Sequence, residues 1–137
     1  MNGPTHNKFL DMLFPIQDLS GTIMIKSGNR YLLIEFEEIL FLQGCGSYTW
    51  IYTRESDNPV LISKSLKTAL KQFPISYFLR CHWSYVINLK IAHSFDSRKK
   101  LIIIDKYQIP ISRRRSGFIF QFLLEHGIKD INYACHL

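Results

Sequence analysis

From residue 22 to residue 111 the chain is cut into β-rich runs of three to six residues, at 22–26, 31–34, 39–42, 48–53, 60–62, 85–89, 91–95, 100–104 and 108–111. Turn-forming groups fill most of the gaps: Ser27-Gly28-Asn29-Arg30, Gly44-Cys45-Gly46-Ser47, Ser56-Asp57-Asn58-Pro59, Ser97-Arg98-Lys99 and Asp105-Lys106-Tyr107. Parallel strands need crossovers of a dozen or more residues, and of the gaps between these runs only 63–84 is that long. The spacing therefore predicts a mainly β domain with one or two short helices, not a βαβ fold. In the run 48–53, Tyr48, Trp50 and Tyr52 share one face and Thr49, Ile51 and Thr53 the other, the period of a strand.

The period changes twice. Leu66, Ala69, Leu70 and Phe73 fall at helical spacing with Lys64, Lys67 and Lys71 on the opposite face. Ser63 or Ser65 can cap this helix, and Pro74 ends it. A second helix is predicted over residues 113–125, closed by Gly127 as a C-terminal cap. Residues 35–38 read as a short helical turn. Residues 1–20 read as a leader or linker in which Phe9, Leu10, Leu13 and Phe14 could dock as one amphipathic turn, residues 21–125 as the domain, and residues 126–137 as a tail.

Charge is distributed unevenly. Residues 1–62 carry four Lys/Arg against seven acids, whereas residues 63–115 carry twelve against only Asp96 and Asp105, a net of +10. A basic stretch inside a foldable chain is the electrostatic footprint of a polyanion partner, or else a solvated face. No apolar run is long enough to span a bilayer, and no signal-peptide pattern opens the chain, so the expectation is a soluble cytoplasmic protein. Three cysteines, Cys45, Cys81 and Cys135, are too few and too scattered for a disulfide framework or a metal knuckle, and no metal or other cofactor is expected.

Catalysis finds no foothold. The sequence has no phosphate loop, nucleophile elbow or paired histidines at ligand spacing. Cys81 and His82 are neighbours, and neighbouring strand residues point to opposite faces. Two clusters do stand out. In Phe78-Leu79-Arg80-Cys81-His82-Trp83-Ser84-Tyr85-Val86-Ile87-Asn88 the donors Arg80, His82, Ser84 and Asn88 alternate with large apolar residues, so one face can pack while the other presents hydrogen-bonding groups. In Pro110-Ile111-Ser112-Arg113-Arg114-Arg115-Ser116-Gly117 three arginines crowd a helix start, where the backbone already carries partial positive charge. A bound anion would resolve that conflict.

With Ile39-Leu40-Phe41, Gly46-Ser47-Tyr48 and Ser65-Leu66 lying upstream in the family's order, these clusters make residues 21–125 resemble the LytTR family of DNA-binding domains of bacterial transcription regulators. The matching segments are Arg80-Cys81-His82-Trp83-Ser84-Tyr85-Val86-Ile87-Asn88 and Ile109-Pro110-Ile111-Ser112-Arg113-Arg114. The resemblance implies an elongated fold of small antiparallel sheets that places loops into successive major grooves and commonly bends the DNA. It implies contacts from Tyr48, Thr49 and Trp50, from His82, Trp83 and Ser84, and from Arg113, Arg114 and Arg115, and Asn88 is counted among the expected DNA-binding residues. Arg114 is expected to fork onto a guanine, with Lys64, Arg80 and Arg113 positioning phosphates. Trp83 stands where the family usually carries a basic or amide residue; its ring can instead meet a thymine methyl or the sugar backbone.

The expected partner is double-stranded DNA with paired half-sites, bound by a protein that is monomeric in solution and forms a homodimer on DNA. Family members often carry a receiver domain, which residues 1–20 are too short to hold, so the chain is expected to be an excised output domain, a stand-alone regulator or one controlled by a separate sensor or receiver. Two other readings remain at this level: a protein-interaction module without DNA readout, and a single-strand or RNA binder stacking bases on Tyr48, Trp50 and Tyr52.

Overall fold

A computed structural model describes residues 21–136, with side chains through Tyr133. Eleven strands alternate with two short helices: β1 (Thr22–Ser27), β2 (Arg30–Glu35), β3 (Ile39–Cys45), β4 (Tyr48–Thr53), β5 (Val60–Ile62), α1 (Leu66–Leu70), β6 (Phe78–His82), β7 (Tyr85–Asn88), β8 (Ser94–Asp96), β9 (Leu101–Ile104), β10 (Tyr107–Pro110), α2 (Ser116–Glu125) and β11 (Lys129–Asp130). Short 3₁₀ helices occupy Phe36–Glu38 and Ile131–His136. No helix among the described residues is long and apolar enough to cross a membrane.

The strands form three small sheets: a β1–β2 ribbon, a five-stranded antiparallel sheet in the order β5-β4-β3-β7-β6, and a four-stranded sheet in the order β10-β9-β8-β11. The central strands β3 and β7 are buried on both faces, which is why Ile39-Leu40-Phe41-Leu42 is an unbroken apolar run. Ile39, Leu42 and Val86 join one core with β1, β5 and α1. Leu40, Phe41 and Ile87 join a second, filled by β8, β9, β10 and α2. Leu40 and Phe41 are sequence neighbours in one core because the β3–β4 register slips between Ile39 and Phe41, a bulge that turns consecutive residues to the same side.

Three elements differ from expectation. Strand β6 lies in a segment whose interleaved polar residues mask its period, and a second register shift between Arg80 and His82 leaves Cys81 unpaired in the ladder. The run 91–95 shortens to β8 because Asn88 folds the chain into a turn: its carbonyl accepts from the N–H groups of Ile91 and Ala92, each at 3.1 Å. Beyond residue 125, where a tail is expected, the described residues pack against the second core and β8. Gly127, at φ 80°, ends α2 with the N–H of Ile128 on the Leu123 carbonyl at 3.0 Å and its own N–H on Leu124 at 3.0 Å. Ile128 then drops into the second core, and β11 pairs in parallel with β8. The expected leader, residues 1–20, lies outside the described residues.

Two nearly buried carboxylates pin that final segment. The Asn132 side-chain amide donates to Asp96 at 3.0 Å and to Asp130 at 2.9 Å, and the Ser97 N–H donates to Asp130 at 3.2 Å. The Asn132 amide, followed by the Lys99 N–H, holds the Asp96 carboxyl below its ordinary range. Burial pushes Asp130 upward, but hydrogen bonds from Ser97 and Asn132 outweigh it, and its carboxyl too is lowered. A depressed carboxyl stabilises the fold above the ordinary aspartate range and loses that contribution as pH falls through the folded value. Melting temperature should therefore fall below about pH 4, and Asn132→Ala should flatten that acid limb relative to the wild type in melts from pH 7 to pH 3.

Candidate nucleic-acid interface

Four segments that the sequence singles out meet at one end of the five-stranded sheet. The β3–β4 hairpin turns at Gly46, whose φ of 59° suits glycine, and leaves Tyr48 exposed at the start of β4. Beside it, the Thr49 hydroxyl donates to the Lys64 carbonyl at 2.8 Å, fixing the approach to α1, which Ser65 caps by accepting from the Thr68 N–H at 3.3 Å. A Cβ on Gly44 would lie 3.0 Å from the Cβ of Leu66, so a side chain there would force β3 and α1 apart.

The β6–β7 hairpin is tied to this group through the Gly44 N–H, which donates to the Ser84 carbonyl at 2.8 Å. At its tip the Ser84 N–H donates to His82 Nδ1 at 3.0 Å, so a neutral His82 carries its proton on Nε2. Trp83 projects from the same turn, 81% exposed. The Arg80 guanidinium lies 5.0 Å from the Trp83 ring centre and donates to the Trp83 carbonyl.

The arginine segment reaches the same hairpin. The Ser112 N–H donates to the Cys81 carbonyl at 2.7 Å, and the Arg115 guanidinium donates to the Arg80 carbonyl at 2.7 Å. Helix α2 begins only at Ser116, with Arg115 at the N-cap position, so Arg113 and Arg114 occupy the turn before it rather than its first helical turn. Both are exposed, and neither side chain has a hydrogen-bonding or ionic partner among the described residues. The one ion pair among the described residues is elsewhere, between Lys106 and Asp57 at 2.6 Å. Lys64, Arg80, Arg113, Arg114 and Arg115 thus form a positive group with no carboxylate paired to it among those residues.

The expected contact residues are not all placed alike. Thr49 is fully buried with its hydroxyl donating to the Lys64 carbonyl. Asn88 is also fully buried: its amide donates to the carbonyls of Phe36 at 3.1 Å and Ile39 at 2.9 Å, and its oxygen accepts from the Lys90 N–H at 2.9 Å. Both are internal braces. Arg80 is half-buried and spends its guanidinium on Trp83, which makes it a support for the hairpin tip before any phosphate contact. Tyr52 is stacked on Phe41 at 4.3 Å and touches Tyr107 edge-on at 5.6 Å, so the row Tyr48, Trp50, Tyr52 does not present three free rings. Tyr48, Lys64, Trp83, Arg113, Arg114 and Arg115 are exposed, and Trp50, His82 and Ser84 are half-buried. The bracing role of Arg115 was not legible, because it depends on a carbonyl thirty-five residues away.

Burial pushes the Cys81 thiol up to about 12, and His82 meets the backbone of Ser84 rather than its hydroxyl. No group of three or more His, Cys, Asp or Glu side chains among the described residues is placed to hold a metal ion.

The sequence model of the LytTr DNA-binding domain matches residues 29–123. The chain belongs to the LytTr DNA-binding domain family. It is 32% identical over 100 residues to the heme-containing CO-sensing transcriptional regulator RcoM 1 of Paraburkholderia xenovorans strain LB400, covering 69% of this chain and 37% of that protein. RcoM 2 of the same strain is 31% identical over the same share of each chain. The LytTr chain therefore spans little more than a third of the length of these curated relatives. Its fold matches the LytTr DNA-binding domain of a Bacillus cereus protein described as a methyl-accepting/DNA response regulator, with a TM-score of 0.62 at 19% identity, over 76% of this chain and 96% of that one. The LytTr assignment accounts for the mainly β fold and makes this a DNA-binding domain of the kind found in transcription regulators.

Proposed function

We propose that the domain binds double-stranded DNA sequence-specifically and regulates transcription in the cytoplasm, without catalytic activity. In this reading its turns enter successive major grooves and two domains pair on adjacent half-sites. Arg114 reads a guanine, Lys64 and Arg113 hold phosphates, and His82 presents its Nε2 hydrogen to a base acceptor. The observation that carries the proposal is the coupling of the arginine turn to the β6–β7 hairpin through Ser112–Cys81 and Arg115–Arg80. That brace presents two exposed, unpaired guanidinium groups and a histidine as one rigid unit. RcoM 1 and RcoM 2 are named as heme-containing CO sensors; for this chain a sensor or receiver partner, separate or attached, belongs to the proposal.

The test is selection of bound duplexes from a random pool, followed by competition with random duplex, single strand and RNA at fixed salt. Selected duplexes should carry a short motif twice, and sedimentation without DNA should show a monomer. Equal indifference to every nucleic acid would favour the protein-interaction reading, which the exposed Trp83 motivates.

Salt gives an independent measure. Five to seven neutralised phosphates correspond to a log–log slope of affinity against salt of about −4 to −6. Titrations at several salt concentrations should fall in that range, and a slope near zero would mean that the basic group does not meet DNA.

A further inference from the structure

We propose that Trp83 is a specificity-determining residue whose free indole face receives the C5-methyl group of a thymine in the major groove. This rests on the proposed DNA-binding function and names what one position of that interface reads.

An indole that is 81% exposed gains nothing from the core, yet it is held in place. The Arg80 guanidinium lies over the ring at 5.0 Å and donates to the Trp83 carbonyl, while the Arg80 carbonyl is gripped by Arg115. Through these links the ring has a defined orientation relative to the arginine turn. Its flanking residue His82 is locked in turn by the Ser84 N–H. A side chain so placed, between two polar residues of the same turn, is set before any ligand arrives.

Chemistry then narrows what it meets. Indole offers one N–H and no acceptor, so it cannot make a two-point hydrogen-bonded match to a base edge. In the major groove the thymine methyl is the apolar group that separates one base pair from another. Insertion between base pairs would need both faces of the ring, and Arg80 covers one. One open apolar face beside a cation fits a methyl group flanked by phosphates.

The experiment uses the selected duplex with each thymine replaced in turn by uracil, which removes the methyl and keeps every hydrogen-bonding group. At one thymine per half-site the wild-type protein should lose about threefold to fivefold in affinity, as expected for one methyl-sized apolar contact. Trp83→Ala should bind the thymine and uracil duplexes equally, and Trp83→Phe, which keeps an apolar face, should retain part of the difference. Thermal melts of both variants should match the wild type, since the ring lies outside both cores. The inference is overturned if the domain binds its site specifically but no thymine-to-uracil change weakens it in a Trp83-dependent way, or if the selected site contains no thymine. Insertion would show as a large loss for Trp83→Ala with a flat uracil scan, which also overturns it. Absence of any duplex preference would instead defeat the proposed function itself, a separately readable result.

Discussion

Asn88→Ala should destabilise the domain by about 2–4 kcal/mol, the cost of stripping buried carbonyl and amide groups of their partner and leaving a void. Asn88 is fully buried and bridges three points of backbone: Phe36 and Ile39 on the way into β3, and Lys90 in the turn after β7. Asn88→Asp would remove both donated bonds and add a buried charge, and should be worse. Urea denaturation measures the loss. Once corrected for the folded fraction, preference for the selected duplex over random duplex should equal the wild type's. Undiminished stability with lost preference would return Asn88 to the DNA-facing surface.

Arg114→Ala should do the reverse. Its side chain is exposed and unpartnered among the described residues, so folding should change by no more than about 0.5 kcal/mol. Specific binding should weaken by roughly 1–3 kcal/mol and preference should relax at one base position, with random duplex little affected. Lys64→Ala is the contrast: both duplexes should weaken together and the salt slope should shrink by about one. Equal loss on both duplexes for Arg114→Ala would make it a phosphate clamp, and a sharply lowered melting temperature would make the arginine turn structural.

The difference between Asn88 and Arg114 marks how far the sequence could be read. Both belong to motifs that resemble those of the LytTR family, and a motif match does not separate residues that touch a ligand from residues that hold the motif in shape. Thr49 could be separated in principle: its alternation with exposed Tyr48 and half-buried Trp50 already put it on the face of fully buried Ile51. Asn88 could not, since the carbonyls its amide donates to lie 49 and 52 residues away. Helix α1, a serine cap at 63 or 65 and the Gly127 closure of α2 were legible because caps act within a few residues. The bulges at Leu40 and Cys81 were not, because a bulge is a property of two strands in register rather than of either alone. The same limit hid β11, two residues long and stabilised by pairing with β8 and by the carboxylate–amide cluster at Asn132.

The two-faced burial of β3 and β7 bears on how such a domain acquires new targets. Side chains of these strands fill both cores, while Trp83 and Arg114, on turns, and Tyr48, at the start of β4, lie outside either one. On the proposed reading of DNA, substitution at those positions leaves the shared wall untouched, so a lineage can rewrite the bases it prefers one position at a time without first gaining stability to spare. The frame and the address it carries are free to diverge at different rates.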